Sequence, residues 1–341
     1  MTAFKKSGRS TFEFSSCPSV ISFASVVGKK EGDGPYGKCF DRIENDAYFG
    51  EKTWEAAESA LFKEAVSTAI KKGGFSPDDI DILASGDLLN QCTATGYAAR
   101  SLAIPYLGLY GACSTMAESL FVASLLVSCG AERVVAATSS HFCGSEKQFR
   151  FPLEYGAQRA PSSQWTVTGS GAVVLGKEKK GPFITHITAG KVIDAGINDA
   201  GNMGAAMAPA FCDTLTAHFS ATNSSPKDYD AIFSGDLGHL GKKIADDLLK
   251  QEYSINIDQN HLDCGCMIFD NKKQDVHSGG SGCGCSASIL SGYILPQMRK
   301  GNLNRVLFIA TGALMSPTLS LQGESIPSVA HAIEFNTTAN G

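Results

Sequence analysis

The stretch SPDDIDILASGDL (Ser76–Leu88) recurs as SPKDYDAIFSGDL (Ser225–Leu237), with eight of thirteen residues identical at a constant offset of 149. The identities are Ser-Pro, two aspartates and a terminal Ser-Gly-Asp-Leu. What repeats is therefore a turn, a short apolar strand and a loop of small residues. A helical pattern precedes each copy. In the first it runs from Trp54 to Lys72, with Trp54, Ala57, Leu61, Ala65 and Ala69 on one stripe; in the second it runs from about Met207 to Thr222. The strands IDILASG and YDAIFSG are apolar throughout, as expected where helices cover both faces of a sheet.

Working outward, the duplication continues. GACSTMAESLFVASLLVSCGAERVVAATSS, from Gly111, faces SGCGCSASILSGYILPQMRKGNLNRVLFIATGA, from Ser281. Both read as turn, long helix, arginine and buried strand, pairing Gly111 with Gly282 and Arg133 with Arg305. The sequence thus predicts an α/β chain of two related halves, residues 1–180 and 181–341, meeting near the turn GKEKKGP (Gly176–Pro182).

Composition narrows the function classes. Hydrophobic residues at 43% against 18% charged describe a heavily buried globular chain. A net charge of -5 argues against nucleic acid as the main partner, because phosphate binding needs a concentrated basic field. MTAFKKSGRSTFEF at the N-terminus lacks the apolar run and cleavage pattern of a secretory signal. The apolar windows Leu120–Val127 and Arg305–Leu314 fall short of the roughly 20 residues a bilayer requires. Eleven cysteines without an export signal read as reduced cytosolic thiols. The pairs Cys264/Cys266 and Cys283/Cys285 admit a zinc reading, but each encloses a single residue, tighter than structural zinc sites use. Small-residue packing explains them more simply, and no metal site is expected.

In GLYGACSTMAESLFVASLLVSCG (Gly108–Gly130) an apolar strand end runs into Gly-Ala-Cys-Ser-Thr and then directly into a helix. A cysteine at such a turn meets unpaired backbone N–H groups and the helix dipole, which favour a nucleophilic thiolate. Cysteine is also a small, frequently buried hydrophobe, so a packing role for Cys113 stands beside the nucleophile.

Two similar halves with a cysteine elbow in the first alone resemble the thiolase and ketoacyl synthase superfamily. That resemblance implies a duplicated five-layer αβαβα fold, a dimer, and Cys113 at the nucleophile position. The family's other catalytic groups are a histidine after the first central strand of the second half and an asparagine or histidine in its glycine-rich elbow. Here Asp236 stands near the first position with His239 three residues later, and HSGGSGCGCSA (His277–Ala287) offers glycine and serine at the second. A cysteine without donors to hold a thioester enolate condenses poorly unless His141, His239 or His277 substitutes.

A narrower likeness lies in TSSHFCGSEKQFRFPLEYGAQRAPSSQWTVTGSGAVVLG (Thr138–Gly176), GALMSPTLSLQGESIPSVAHAIEF (Gly312–Phe335), SGDLLNQ and GACSTMAESL. These segments are similar to the stage V sporulation protein AD family. The resemblance implies a protein without catalytic residues or cofactor that binds dipicolinic acid (pyridine-2,6-dicarboxylate), alone or as its calcium chelate. It also implies work with the SpoVA membrane proteins in dipicolinate uptake, by a chain held at the spore inner membrane through those partners. The alternative is an active acyltransferase or condensing enzyme using Cys113.

Dipicolinate is a flat dianion, and two helix N-termini facing one cleft offer backbone donors to its carboxylates. The expected ligand site is Cys113, His141, Asp236, His239, Gly280, Ser281, Gly282 and Cys283. Asp236 would repel the dianion unless protonated or bridged by calcium. Lys147 and Arg150 read either as steering cations or as part of a solvated loop, and Trp165 reads as core.

Overall fold

Alternation along the strands sorts the apolar residues into three large cores, with a small fourth cluster of Leu88, Ala112, Cys113 and Cys283. In the computed structural model, which describes residues 3–149, 159–178 and 180–339, the first half contributes β1 (Ser19–Gly28), β2 (Ile82–Asp87), β3 (Tyr106–Gly108), β4 (Arg133–Ser140) and β5 (Gly169–Gly176). The second contributes β6 (Phe183–Ala189), β7 (Ala231–Ser234), β8 (His261–Asp263), β9 (Arg305–Ala313) and β10 (Ser328–Asn336). Their order across the sheet is β8-β7-β9-β10-β6-β1-β5-β4-β2-β3. Each half therefore threads its strands alike, parallel from its second to its fourth strand and antiparallel at its fifth. One backbone pairing, Phe183 with Ser19, joins the two runs.

Helices α1 (Trp54–Lys72) and α2 (Thr93–Leu102) cover the outer face of the first half, and α5 (Met203–Thr222) and α6 (Gly238–Tyr253) that of the second. Between the halves lie α3 (Thr115–Cys129) and α8 (Cys283–Ile289), with α4 (Phe142–Phe149) and α7 (Cys264–Ile268) at the rim. Side chains two apart share a face. Val134 and Ala136 of β4 join Val306, Phe308 and Ala310 of β9 in the central core. Val135 and Ala137 face α1, while Leu307 and Ile309 face α5. The result is a layered αβαβα arrangement.

The repeated aspartates have repeated jobs. Asp79 and Asp228 accept from the backbone N–H of Ser76 and Ser225 at 2.8 and 2.7 Å, closing identical capping boxes. Asp81 and Asp230 accept from the N–H of Arg133 and Arg305 at 3.0 and 3.1 Å, tying each second strand to its neighbour. The arginine side chains lie over Phe75 and Tyr229. The third pair diverges. Asp87 accepts from Leu89 N–H and Thr95 N–H, both at 2.8 Å, and organises the start of α2, whereas Asp236 reaches across to α8.

One segment corrects the membrane reading. Ala112–Cys129, 18 residues, is long and apolar enough to cross a bilayer by length and composition. It packs against β2 and β4 on one side and β9 and β10 on the other, so its apolarity on all sides reflects burial between the halves.

Candidate functional site

Cys113 sits in the tight turn Ala112–Ser114 that leads into α3, and α8 opens at Gly282 opposite it. Asp236, at the end of β7, lies between the two. Its Oδ2 accepts from Ser281 Oγ at 3.0 Å and from Gly282 N–H at 2.9 Å, and its Oδ1 accepts from Thr311 Oγ at 3.0 Å. The Gln164 side-chain amide donates to the Asp236 carbonyl at 2.5 Å and to the Gly280 carbonyl at 3.0 Å. Cys113 Sγ is 3.8 Å from Ser281 Oγ.

Burial sets the charge states. It pushes the Asp236 carboxyl up to about 7, against hydrogen bonds from Cys113 and Gly282 that pull it down. It also pushes the Cys113 thiol well above the usual range, with the neighbouring Asp236 charge adding to the rise. The thiolate expected at a helix N-terminus is thus not what this site favours. Desolvation and a nearby carboxylate outweigh the dipole.

Asp236 couples folding to pH. A carboxyl whose folded value is raised binds a proton in the native state that the unfolded chain has released, so its contribution to stability declines as pH rises between the ordinary value of 3.8 and about 7. Asp236→Asn replaces the neutral acid with a neutral amide. Its carbonyl takes the Ser281 and Gly282 donors, and its NH₂ donates to Thr311. The variant should match the parent near pH 4 and gain on it progressively up to about pH 7, as urea unfolding across pH would show. Parallel profiles would refute the assignment.

Two of the open helix-end donors expected from the sequence, both at the α8 end, are filled by the chain's own acceptors. Gly282 N–H is on Asp236, and Gly284 N–H donates to Ser140 Oγ at 3.1 Å. Gly282 also reads in the sequence as room for a ligand. Its φ of +100° and the 2.8 Å that would separate a Cβ from Ser140 Oγ show a position that backbone conformation and neighbours reserve for glycine.

Other expected residues lie elsewhere. His141 Nε2 bonds to the Ala47 carbonyl at 2.8 Å, and its ring stacks on Trp54. His239 is exposed on the first turn of α6. Cys283, by contrast, packs with Cys113, Leu88 and Ala112 in one small buried cluster, and its thiol donates to the Ser139 carbonyl at 2.9 Å. Gly280 pairs with Trp165 in a two-residue ladder. Lys147 pairs with Glu55 at the surface at 2.9 Å, and Arg150 lies outside the described residues. Among the described residues no cluster of three or more metal-ligating side chains occurs.

Sequence reasoning missed Thr311, Gln164 and the walls of the cleft. Cys113 and Ser281 line a cavity of about 40 Å³ with Ser145, Glu146 and Thr166 on the polar side and Leu88, Phe149, Met203 and Met315 on the apolar side. That holds a few waters, far below the about 300–1,000 Å³ of small-molecule pockets. A larger groove of about 650 Å³ runs between α1 and α2 on the outer face and shares no residue with this cleft.

Beneath the Asp236 loop, Asp263 accepts from Leu237 N–H and Gly238 N–H at 2.8 and 2.9 Å and from Ser234 Oγ at 2.6 Å. His261 joins Ser234 and Asp246 at 2.9 and 2.6 Å. This Ser-His-Asp string is no nucleophile, because Ser234 is buried and its proton is committed to Asp263. It holds the loop that carries Asp236.

Residues 8–336 match the sequence model of the family described as stage V sporulation protein AD (SpoVAD). Over 332 residues the chain is 46% identical to stage V sporulation protein AD of Bacillus subtilis, covering 97% of this chain and 98% of that one. The chain belongs to the SpoVAD family. This SpoVAD family chain also superposes on OleA of Xanthomonas campestris (TM-score 0.59, 11% identity, 94% of this chain and 98% of that one). It superposes likewise on human mitochondrial 3-ketoacyl-CoA thiolase (0.57, 12%, 94% and 98%). A third match is 3-oxoacyl-[acyl-carrier-protein] synthase III of Aquifex aeolicus (0.55, 12%, 94% and 99%). The fold of this SpoVAD family member is thiolase-like.

Proposed function

We propose that this chain is a non-condensing member of the thiolase-like fold that binds dipicolinic acid at the Cys113 cleft. It serves dipicolinate uptake into the developing spore together with the SpoVA membrane proteins, as a homodimer held at the inner membrane through them. The observation that carries the reading is Asp236. Where the condensing enzymes of this fold place a histidine, a buried carboxyl accepts from Ser281, Gly282 and Thr311. Among the described residues no histidine faces the thiol there, and the thiol itself is held protonated, its value pushed up by burial and by the Asp236 carboxyl it bonds to. With Asp236 neutral up to about pH 7, the repulsion it would exert on a dianion is largely relieved. The small cavity makes ligand binding depend on rotation of Phe149, Met203 and Met315, and flexible thioethers suit that task.

Incubation with acetyl-CoA and malonyl-CoA, followed by intact mass and product analysis, tests the non-condensing part. The expected result is no acyl-enzyme and no turnover above a Cys113→Ala control. Steady turnover that disappears in Cys113→Ala would instead establish an acyltransferase.

A further inference from the structure

The geometry points to Glu146 as an internal competitor for the carboxylate-binding groups of the cleft: its own carboxylate holds Arg159 and Thr166, and a ligand carboxylate takes both from it. This rests on the dipicolinate reading above and assigns the cleft its specificity-determining residues. Glu146, on α4, is 3% exposed and lines the same cavity as Cys113 and Ser281. Its Oε1 accepts from Thr166 Oγ at 3.2 Å and lies 3.5 Å from Arg159 Nη1.

Arg159 is fixed from other sides. It donates to the Gln164 carbonyl and lies 5.1 Å over the Trp165 ring. Gln164 in turn bonds to the Asp236 and Gly280 carbonyls, which connects the guanidinium to the Asp236 loop. Beside Glu146, the Ser145 hydroxyl lines the cavity, buried and without a hydrogen-bond partner among the described residues. Thr166 and Ser145 line the cavity, and Arg159, which does not line it, pairs with Glu146 there, so release of Glu146 would turn a guanidinium and two hydroxyls into a donor set for a carboxylate. In this structure the chain's own carboxylate occupies it, much as Asp236 occupies the donors of Ser281 and Gly282. A dianion cannot share that wall with an ionised Glu146, so binding and release of Glu146 are opposed.

A competitor and a donor give opposite signs on mutation, which a merely structural ion pair does not. The full chain and its Glu146→Gln and Arg159→Gln variants are titrated calorimetrically with pyridine-2,6-dicarboxylate, with melting curves recorded for each. Glu146→Gln keeps an acceptor for Thr166 and removes the charge, so it should tighten binding by about tenfold, while Arg159→Gln should weaken it by about tenfold or more. Should Glu146→Gln melt too low to titrate, Glu146→Asp, which draws the carboxylate back from Arg159, decides with the same expected sign. A Glu146 variant that binds no tighter than the parent, at unchanged melting, overturns the inference and leaves the dipicolinate reading standing. No binding by the parent overturns the dipicolinate reading and this inference with it.

Discussion

Glu334→Ala is expected to cost about 3–5 kcal/mol of stability, because it strips the partner from a set of buried donors. Glu334, on β10, is 1% exposed. It accepts from Tyr229 Oη at 2.7 Å, Thr185 Oγ at 2.8 Å, His218 Nε2 at 3.2 Å and both Nε and Nη2 of Arg305 at 3.2 Å. These partners come from β6, α5, β9 and the turn before β7, so one carboxylate ties most of the second half together. Burial alone would push Glu334 up, but hydrogen bonds from His186 and His218 hold it well below the usual carboxylate range. Burial keeps His218 neutral, its value lowered.

Both signs agree. The depressed Glu334 contributes stability above its unfolded value near 4.5 that is lost as pH falls below it, and the depressed His218 loses stability as pH falls below 6.5. Urea unfolding of Glu334→Ala should show the full loss at pH 7 and a shrinking difference from the parent below about pH 4.5. A difference constant down to pH 3 would contradict the network's ionised state.

Gly312→Ala is the second large effect, at about 3 kcal/mol or more. A Cβ on Gly312 of β9 would stand 2.1 Å from the Gly111 carbonyl oxygen and 3.0 Å from Ser114 N. Both contacts are backbone, so no side chain can swing aside. The strand would have to part from the turn that carries Cys113, next to Thr311 and its bond to Asp236. Melting should fall and dipicolinate binding should weaken together. A variant with parent-like melting would show that the two segments are not packed this closely.

The repeat at Ser76 and Ser225 made the fold legible because its aspartates perform backbone tasks, capping a turn and bridging two strands, that any copy of the unit needs. Cys113, Asp236, Ser281 and Gly282 were legible because they sit at the ends of repeated strands and helices. The histidines misled for a physical reason. Closeness to a strand end along the chain does not fix direction, and the first turn of α6 carries His239 outward while His141 turns back to Ala47. Glu146, Thr166, Gln164 and Thr311 belong to no local pattern. They reach the cleft through sheet order and loop packing, which a single sequence does not display. Between the nucleophile and the packing role that the sequence leaves open for Cys113, burial and the Asp236 carboxyl, both long-range consequences of folding, favour a protonated, packed thiol over the thiolate that the local helix dipole would support.

The dipicolinate site proposed for this chain is the Cys113 cleft. Its most direct test is calorimetric titration of the chain with pyridine-2,6-dicarboxylate alongside Cys113→Leu, whose branched side chain fills the cavity of about 40 Å³. Saturable binding by the parent that is lost in a Cys113→Leu protein of parent-like melting is the predicted result. Equal binding by both, or none by the parent, would contradict it.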